Sequence, residues 1–149
     1  MTPIRQRVRV LVAEDNDDHR FFIVRALSDA GGVHLEIETV VDGDEVLDYL
    51  YRRGQYADRE RPHMILLDLK MPRRGGLEVL EVIKNDPELR TIPVSILTSS
   101  DRPEDVESAY GLGTNSYLLK RPDPEGLRRE LATVSDYWTD SAVLPEPPA

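Results

Sequence analysis

The chain has 149 residues, a usual length for one domain and enough to bury roughly 70% of the unfolded surface in one core. It has no cysteine, which excludes a disulfide framework, a cysteine nucleophile and thiolate metal ligands. With 28 acidic and 19 basic residues the net charge is -9, which disfavours binding to nucleic acid or to an anionic membrane surface. No apolar run reaches a membrane-spanning length, and residues 1–9 lack the apolar core of a signal peptide. We therefore expect a soluble, cytoplasmic protein.

Five short segments have the length and composition of β-strands. Four are apolar runs bounded by polar or turn residues, as in strands that are buried on both faces of a sheet. The fifth alternates apolar and polar residues, which is typical of a strand with one wet face and predicts a place at a sheet edge. The apolar runs are residues 8–13, 64–69, 93–98 and 116–119, and the alternating segment is residues 35–41.

Helical patterns lie between these strands, and most of them begin at a capping residue or a proline. The alternation of five strands with five helices predicts an α/β fold, an open parallel sheet with helices on both faces. The helices are expected to follow Asn16 or Asp17, span residues 44–53, run from about Gly76 to Asp86, start at Asp101, and follow a cap at Asp123.

Two segments lie outside this alternation. The charged residues 52–62 are expected to extend the second helix and then form a solvated loop. Residues 139–149, with three prolines, are expected to form a C-terminal extension to a domain that covers residues 8–138.

Functional side chains stand at the ends of four predicted strands: Glu14-Asp15, Asp68, Thr98 and Lys120. Because parallel strands place their carboxyl ends at one edge of a sheet, we expect these groups to converge. At a separation of about 5 Å and an effective dielectric of about 20, each pair of carboxylates would repel by roughly 3 kcal/mol. The cluster therefore favours a bound cation, and oxygen ligands without nearby histidine or cysteine favour Mg²⁺ over zinc.

Four motifs occur in a fixed order along the chain: Glu14-Asp15 after Val-Leu-Val-Ala, residues 65–72 with Gly75-Gly76, residues 96–99, and residues 117–120. The ordered set resembles the receiver domains of two-component response regulators over about residues 8–138. The resemblance implies a doubly wound, flavodoxin-like sheet of five parallel strands in the order 2-1-3-4-5, with five helices. It also implies a signalling module, not an enzyme, that catalyses only its own phosphorylation and dephosphorylation.

The resemblance further implies how the acidic residues act. Asp68 would accept the phosphoryl group from a phosphohistidine of a partner histidine kinase. Asp15, Asp68 and the backbone carbonyl of Lys70 would bind Mg²⁺ directly, and Glu14 would act mostly through water. The metal and Lys120 would neutralise the charge of the phosphoryl oxygens.

The same resemblance implies a conformational switch. Thr98 would donate its hydroxyl to a phosphoryl oxygen, and Tyr117 would change rotamer as the threonine moves. Phosphorylation would in this way alter the surface formed by the fourth helix, the fifth strand and the fifth helix.

Three features are similar to a narrower group, the stand-alone regulators that pair with bacterial phytochrome histidine kinases. They are the insertion at residues 52–62, Arg121 standing between Lys120 and Pro122 where most receivers have proline directly after the lysine, and the tail. This similarity implies a phytochrome kinase as partner. It also implies a homodimer through the face of the fourth helix, fifth strand and fifth helix together with the tail. The alternative is that Trp138, Val143 and Leu144 fold back on their own domain.

Other functions fit the sequence less well. The three histidines, His19, His34 and His63, fall on separate elements, which argues against a histidine metal cluster or a catalytic histidine. The acidic turn after the first strand would repel the phosphate of a flavin cofactor, and the nucleophile motif of an α/β-hydrolase is absent from the sequence. Two alternatives stay open: a scaffold protein that does not depend on phosphorylation, and a small metal-dependent enzyme acting on a phosphorylated small molecule.

Overall fold

The sheet at the centre of the protein has five strands, all parallel, in the order β2-β1-β3-β4-β5. This computed structural model describes residues 7–149. Residues 1–6, part of the segment predicted to lack a signal-peptide core, lie outside the described residues. The predicted sheet order is confirmed, and β2 lies at an edge, as its alternating pattern predicts. The strands are β1 (Val8–Ala13), β2 (Leu35–Val40), β3 (Met64–Leu67), β4 (Val94–Thr98) and β5 (Ser116–Leu119).

Helices connect the strands and cover both faces of the sheet. Helix α1 begins after Asn16, whose side chain accepts a hydrogen bond from the backbone of His19, and α5 begins after Asp123, which accepts one from Gly126. These caps agree with the sequence prediction, because an N-cap oxygen satisfies a free amide of the first turn. The helices are α1 (Asp17–Gly31), α2 (Gly43–Leu50), α3 (Gly76–Asn85), α4 (Pro103–Leu112) and α5 (Pro124–Asp136).

Two buried clusters hold these layers together. On one face, Leu27 of α1 and Leu131 of α5 pack with Val10, Met64 and Leu66 of the sheet. On the other face, residues of α2, α3 and α4 pack with the opposite side of the same strands, including Leu11, Ile65 and Ile96. Since the central strands contribute to both clusters, most of their side chains are apolar.

The prediction that residues 52–62 extend the second helix is wrong. Helix α2 ends at Leu50, because Arg52 has a left-handed backbone with φ of 57° and the chain turns away there. The amide of Arg52 donates to the carbonyl of Tyr49, and that of Arg53 to Asp48, a pattern that closes many helices.

The segment after α2 is also less solvated than expected. It contains a short 3-10 helix, Gly54–Tyr56, and Tyr56 is buried against Tyr49, with the ring centroids 5.2 Å apart. Arg61 is buried as well, and its Nε donates to the carbonyl of Leu50 at 3.0 Å. The arginine therefore satisfies one of the free carbonyls at the end of α2.

The tail follows α5 through a turn of π-helix, Tyr137–Ser141, and returns to its own domain. Trp138 and Leu144 are buried in the cluster on the α1 and α5 face, whereas Val143 is 94% exposed. At the far end, the backbone oxygen of Ala149 accepts a hydrogen bond from Arg61 at 3.1 Å. The alternative prediction, that Trp138, Val143 and Leu144 fold back on their own domain, is therefore correct for Trp138 and Leu144 and wrong for Val143.

Two further findings concern the whole described chain. All peptide bonds of residues 7–149 are trans, including the one between Lys120 and Arg121. Within the same residues, none of the helices has the length and hydropathy needed to cross a membrane.

Candidate functional site

The candidate site lies at the carboxyl edge of the sheet, where strand pairing fixes the backbone of its members. Asp68 follows β3, and its amide donates to the carbonyl of Ala13 at the end of β1. Lys120 follows β5, and its amide donates to the carbonyl of Thr98 at the end of β4. Parallel pairing thus continues one residue beyond the strands and places these side chains at one edge.

The ammonium of Lys120 is the centre of the site. Its Nζ lies 2.5 Å from Glu14 Oε1, 2.8 Å from Asp68 Oδ2 and 3.1 Å from His19 Nδ1. Burial alone would lower the pKa of Lys120, but its hydrogen bonds to Asp68 and Glu14 prevail and raise the pKa. Lys120 therefore keeps its charge although its side chain is only 8% exposed.

Three carboxylates form a group that could hold a metal ion. One oxygen each of Glu14, Asp15 and Asp68 lies within 4.8 Å of the others. Glu14 and Asp68 are buried, and Asp15 is exposed. Burial raises the pKa of Glu14 to about 7, and the charge of Asp68 adds to this rise while the hydrogen bond from Lys120 opposes it. Carboxylate oxygens in this number and spacing suit a hard divalent cation such as Mg²⁺.

The loop after β3 packs closely around Asp68. The amide of Lys70 donates to Asp68 Oδ1 at 3.2 Å, so both carboxylate oxygens of Asp68 have a partner. A Cβ atom at Gly76 would lie 2.3 Å from the backbone oxygen of Asp68, which is closer than any side chain can approach. The first residue of α3 must therefore be glycine, since the helix begins directly against the backbone of the site.

A second set of hydrogen bonds links β4 to β5 and α4. Thr98 is fully buried, and its Oγ1 accepts a long hydrogen bond, 3.5 Å, from the amide of Ser100. The hydroxyl of Tyr117 donates to the carbonyl of Ser100 at 2.8 Å, and the Ser100 hydroxyl donates to Asp105 of α4. Burial raises the pKa of Tyr117, so its phenol remains a donor. One loop residue, Ser100, thus contacts both side chains predicted to switch and the start of α4.

The structure therefore brings together the predicted residues Glu14, Asp15, Asp68 and Lys120. The metal ligation predicted for the Lys70 carbonyl and the chemical roles of the others stay predictions. Thr98 and Tyr117 belong to the adjoining hydrogen-bond set around Ser100.

One side chain at the centre of this site was not expected from the sequence. The scattered positions of the histidines argue against a functional histidine, yet the ring of His19 contacts Lys120 across 101 positions of sequence. The available signal was its place in the first turn of α1, four residues after Asp15. A residue there faces the same edge of the sheet as the acidic turn.

Comparison with known proteins decides the family. The sequence model of the response regulator receiver domain matches residues 10–132. This chain belongs to the response regulator receiver family. The receiver is 41% identical over 129 residues to the probable methanogenesis regulatory protein FilR2 of Methanothrix harundinacea. The match covers 87% of this chain and 82% of FilR2. It is 33% identical over 139 residues to the response regulator Rcp1 of Synechocystis sp., covering 93% of each protein.

Solved structures of receivers agree over nearly the whole chain. The phosphorylated cyanobacterial phytochrome response regulator RcpA matches with a TM-score of 0.89 and 36% identity, covering 94% of this chain and 99% of RcpA. The Mn²⁺-bound form of Rcp1 matches with a TM-score of 0.88 and 32% identity, covering 93% of this chain and 99% of Rcp1. This receiver is thus related to phytochrome response regulators, and its acidic group lies in a fold that binds a divalent cation in Rcp1.

Proposed function

We propose that this receiver accepts a phosphoryl group on Asp68 from a partner histidine kinase. The observation that carries the proposal is the pairing of Asp68 with Lys120 at 2.8 Å beside two further carboxylates. A carboxylate oxygen of Asp68 would form a bond to phosphorus as the phosphorus–nitrogen bond of the phosphohistidine breaks, and the bonding electrons leave with the imidazole. The ammonium of Lys120 is already in place to stabilise the charge on the transferred group.

For Mg²⁺, the chain offers Asp15 and Asp68 as direct ligands together with the backbone carbonyl of Lys70, with Glu14 acting through water. When bound, such an ion supplies positive charge beside the phosphoryl oxygens and holds them in position. The carboxylates fit this purpose because they are close enough to repel one another without a cation.

We further propose that Thr98 and Tyr117 report the phosphorylation of Asp68. The hydroxyl of Thr98 receives only a long hydrogen bond in this structure, so turning it toward a phosphoryl oxygen loses little. That rotation would remove the hydrogen bond from the Ser100 amide to Thr98. Ser100 would then be free to shift, and its carbonyl accepts the hydrogen bond of Tyr117. The signal would then reach the face of α4, β5 and α5 and pass to another protein by contact.

The partner we propose is a bacterial phytochrome histidine kinase in the cytoplasm. RcpA, described as a phytochrome response regulator, supports this proposal, because its likeness extends over 94% of this chain. FilR2 has a higher identity and a different described role, so the choice of kinase needs its own test. Transfer from a phosphorylated phytochrome kinase, faster than from an unrelated histidine kinase, would support the assignment, and equal rates would contradict it.

We also propose a homodimer through the face of α4, β5 and α5 with the tail beside it. Tyr110 of α4 is 51% exposed, and all four residues of the edge strand β5 are only half-buried. Such apolar surface is typical of an interface. Sedimentation velocity of the chain tests the proposal, and a monomer with and without phosphorylation would overturn it.

Intact mass spectrometry after incubation with Mg²⁺ and acetyl phosphate tests the central proposal. We expect the wild type to gain one phosphoryl group, and Asp68→Asn or removal of the metal to abolish the gain. Asp101→Asn, an exposed aspartate near the same edge, is the matched control and is expected to be modified like the wild type.

Repeated release of phosphate from small phosphorylated substrates would instead indicate a metal-dependent enzyme. A chain that accepts no phosphoryl group from acetyl phosphate or from any histidine kinase, yet binds a partner, would indicate a scaffold protein.

A further inference from the structure

His19 is the third partner of the Lys120 ammonium and differs from the other two. Glu14 and Asp68 are buried carboxylates, whereas His19 is exposed and contributes a ring nitrogen at 3.1 Å. An ammonium has three N–H groups, and here three acceptor atoms lie within 3.1 Å of the nitrogen. His19 thus occupies the solvent side of Lys120, the side from which a phosphoryl donor must arrive.

The chemistry of the two groups sets the direction of this hydrogen bond. A charged lysine can only donate, so Nδ1 of His19 is the acceptor and the proton of the neutral ring lies on Nε2. The position of the ring is fixed by the start of α1, because the amide of His19 donates to the Asn16 side chain at 3.0 Å. Its neighbour Arg20 is committed elsewhere, to the carbonyl of Glu14 and to Asp17.

We propose that His19 is a positioning residue that holds the Lys120 ammonium where the phosphoryl group of Asp68 forms. The inference rests on the proposed phosphorylation of Asp68. Before transfer, the two buried carboxylates draw the ammonium inward, and His19 contacts it on the outer side. His19 neither donates nor accepts a proton in the transfer, and it forms no bond to phosphorus.

The role follows from what happens to the partners of Lys120 during transfer. Bond formation at Asp68 turns one of its anionic oxygens into the bridging oxygen of an acyl phosphate, so its attraction for the ammonium falls. Lys120 must then turn to the phosphoryl oxygens while remaining at the edge of the sheet. The contact with His19 does not depend on the charge of Asp68, so it persists through this change and limits how far Lys120 can move.

Two substitutions of His19 distinguish the effect of its hydrogen-bond acceptor from the effect of its size. His19→Leu keeps a side chain of similar size without an acceptor, and His19→Asn keeps an oxygen near the place of Nδ1. We expect His19→Leu to slow phosphorylation of Asp68 by acetyl phosphate about fivefold to tenfold, the effect of losing one hydrogen bond of ordinary strength at an exposed position. His19→Asn is expected to stay within about twofold of the wild type. His34→Leu, a histidine beyond the far end of α1, is the control and should leave the rate unchanged.

A double substitution shows whether His19 acts through Lys120. In a Lys120→Met background, His19→Leu is expected to cause no further slowing, because the ammonium it positions is gone. A structural readout is independent of the reaction: ¹⁵N NMR of the Lys120 ammonium should show faster proton exchange in His19→Leu than in the wild type.

The outcomes separate this inference from the function on which it rests. His19→Leu reacting at the wild-type rate, or slowing the reaction equally without Lys120, would overturn the positioning role. Slowing by both Leu and Asn to the same degree would do so as well. A wild type that is never phosphorylated would instead overturn the proposed function, and the NMR comparison would still decide whether His19 holds the ammonium.

Discussion

Single side chains set the electrostatics of the edge where the strands end. Lys120 lies between two buried carboxylates, and its charge is maintained by them despite its own burial. If Asp68 accepts a phosphoryl group, the positive charge it requires is present before the reaction begins. A positive charge that already stands beside the reacting oxygen is the condition for strong electrostatic stabilisation.

Away from the site, His63 makes stability depend on pH. Its Nδ1 accepts a hydrogen bond from the backbone of Arg9 at 2.9 Å, and burial, with the nearby Arg9 charge, lowers its pKa below 6.5. As pH falls below about 6.5, the unfolded chain binds a proton at this position while the folded chain does not, so the free energy of unfolding decreases.

We therefore predict that His63→Asn, which keeps an acceptor for Arg9, reduces this acid sensitivity. Urea unfolding between pH 7.5 and pH 5.5 measures it as a smaller fall in the free energy of unfolding for the variant than for the wild type. Parallel pH profiles of the two proteins would contradict the assignment to His63.

At the scale of elements, close backbone contacts decide where the helices can start and end. Helix α3 begins against the backbone of Asp68, so its first residue has no room for a Cβ atom. Helix α2 also meets the loop after β3, because a Cβ at Gly43 would lie 2.0 Å from the backbone oxygen of Arg74. Both contacts join the loop that follows Asp68 to the surrounding helices.

We predict that Gly76→Ala lowers the free energy of unfolding by about 2–4 kcal/mol, since the backbone of Asp68 must move. Gly111→Ala is the matched control: this helical glycine has open space around its Cβ position, and the change should stabilise the protein by about 0.5 kcal/mol. Denaturant unfolding of both variants measures the difference, and equal effects would show that the contact at Gly76 relaxes freely.

On the scale of the whole molecule, the tail packs against its own domain. Leu144 is buried beside residues of α1, α5 and the strands, and Arg61 joins the end of α2 to Ala149. These contacts are made within one chain.

We predict that Leu144→Ala lowers the free energy of unfolding by about 1–3 kcal/mol. Val143→Ala, at a neighbouring position that is 94% exposed, should change it by less than about 0.5 kcal/mol. Thermal unfolding over a range of protein concentrations is the measurement. A Leu144→Ala effect that appears only at high concentration would mean that the tail packs on a partner copy instead.

Much of the fold could be read from local sequence. The apolar runs became β1, β3, β4 and β5, and the caps at Asn16 and Asp123 start α1 and α5. Strand length, periodicity and capping depend on neighbouring residues, so one sequence carries them. The approach of Glu14, Asp68 and Lys120 could also be foreseen, because parallel strands end at a common edge.

Only the tertiary structure decided the contacts that join distant segments. The sequence alone determined that Lys120 ends a strand, but the approach of His19, 101 positions away, depends on how α1 packs against the sheet. The left-handed turn that ends α2 falls on Arg52, so no glycine marks it in the sequence. The burial of Leu144 depends on a surface built by other elements. Local preferences act over a few residues, whereas these features arise from packing between segments that the folded chain brings together.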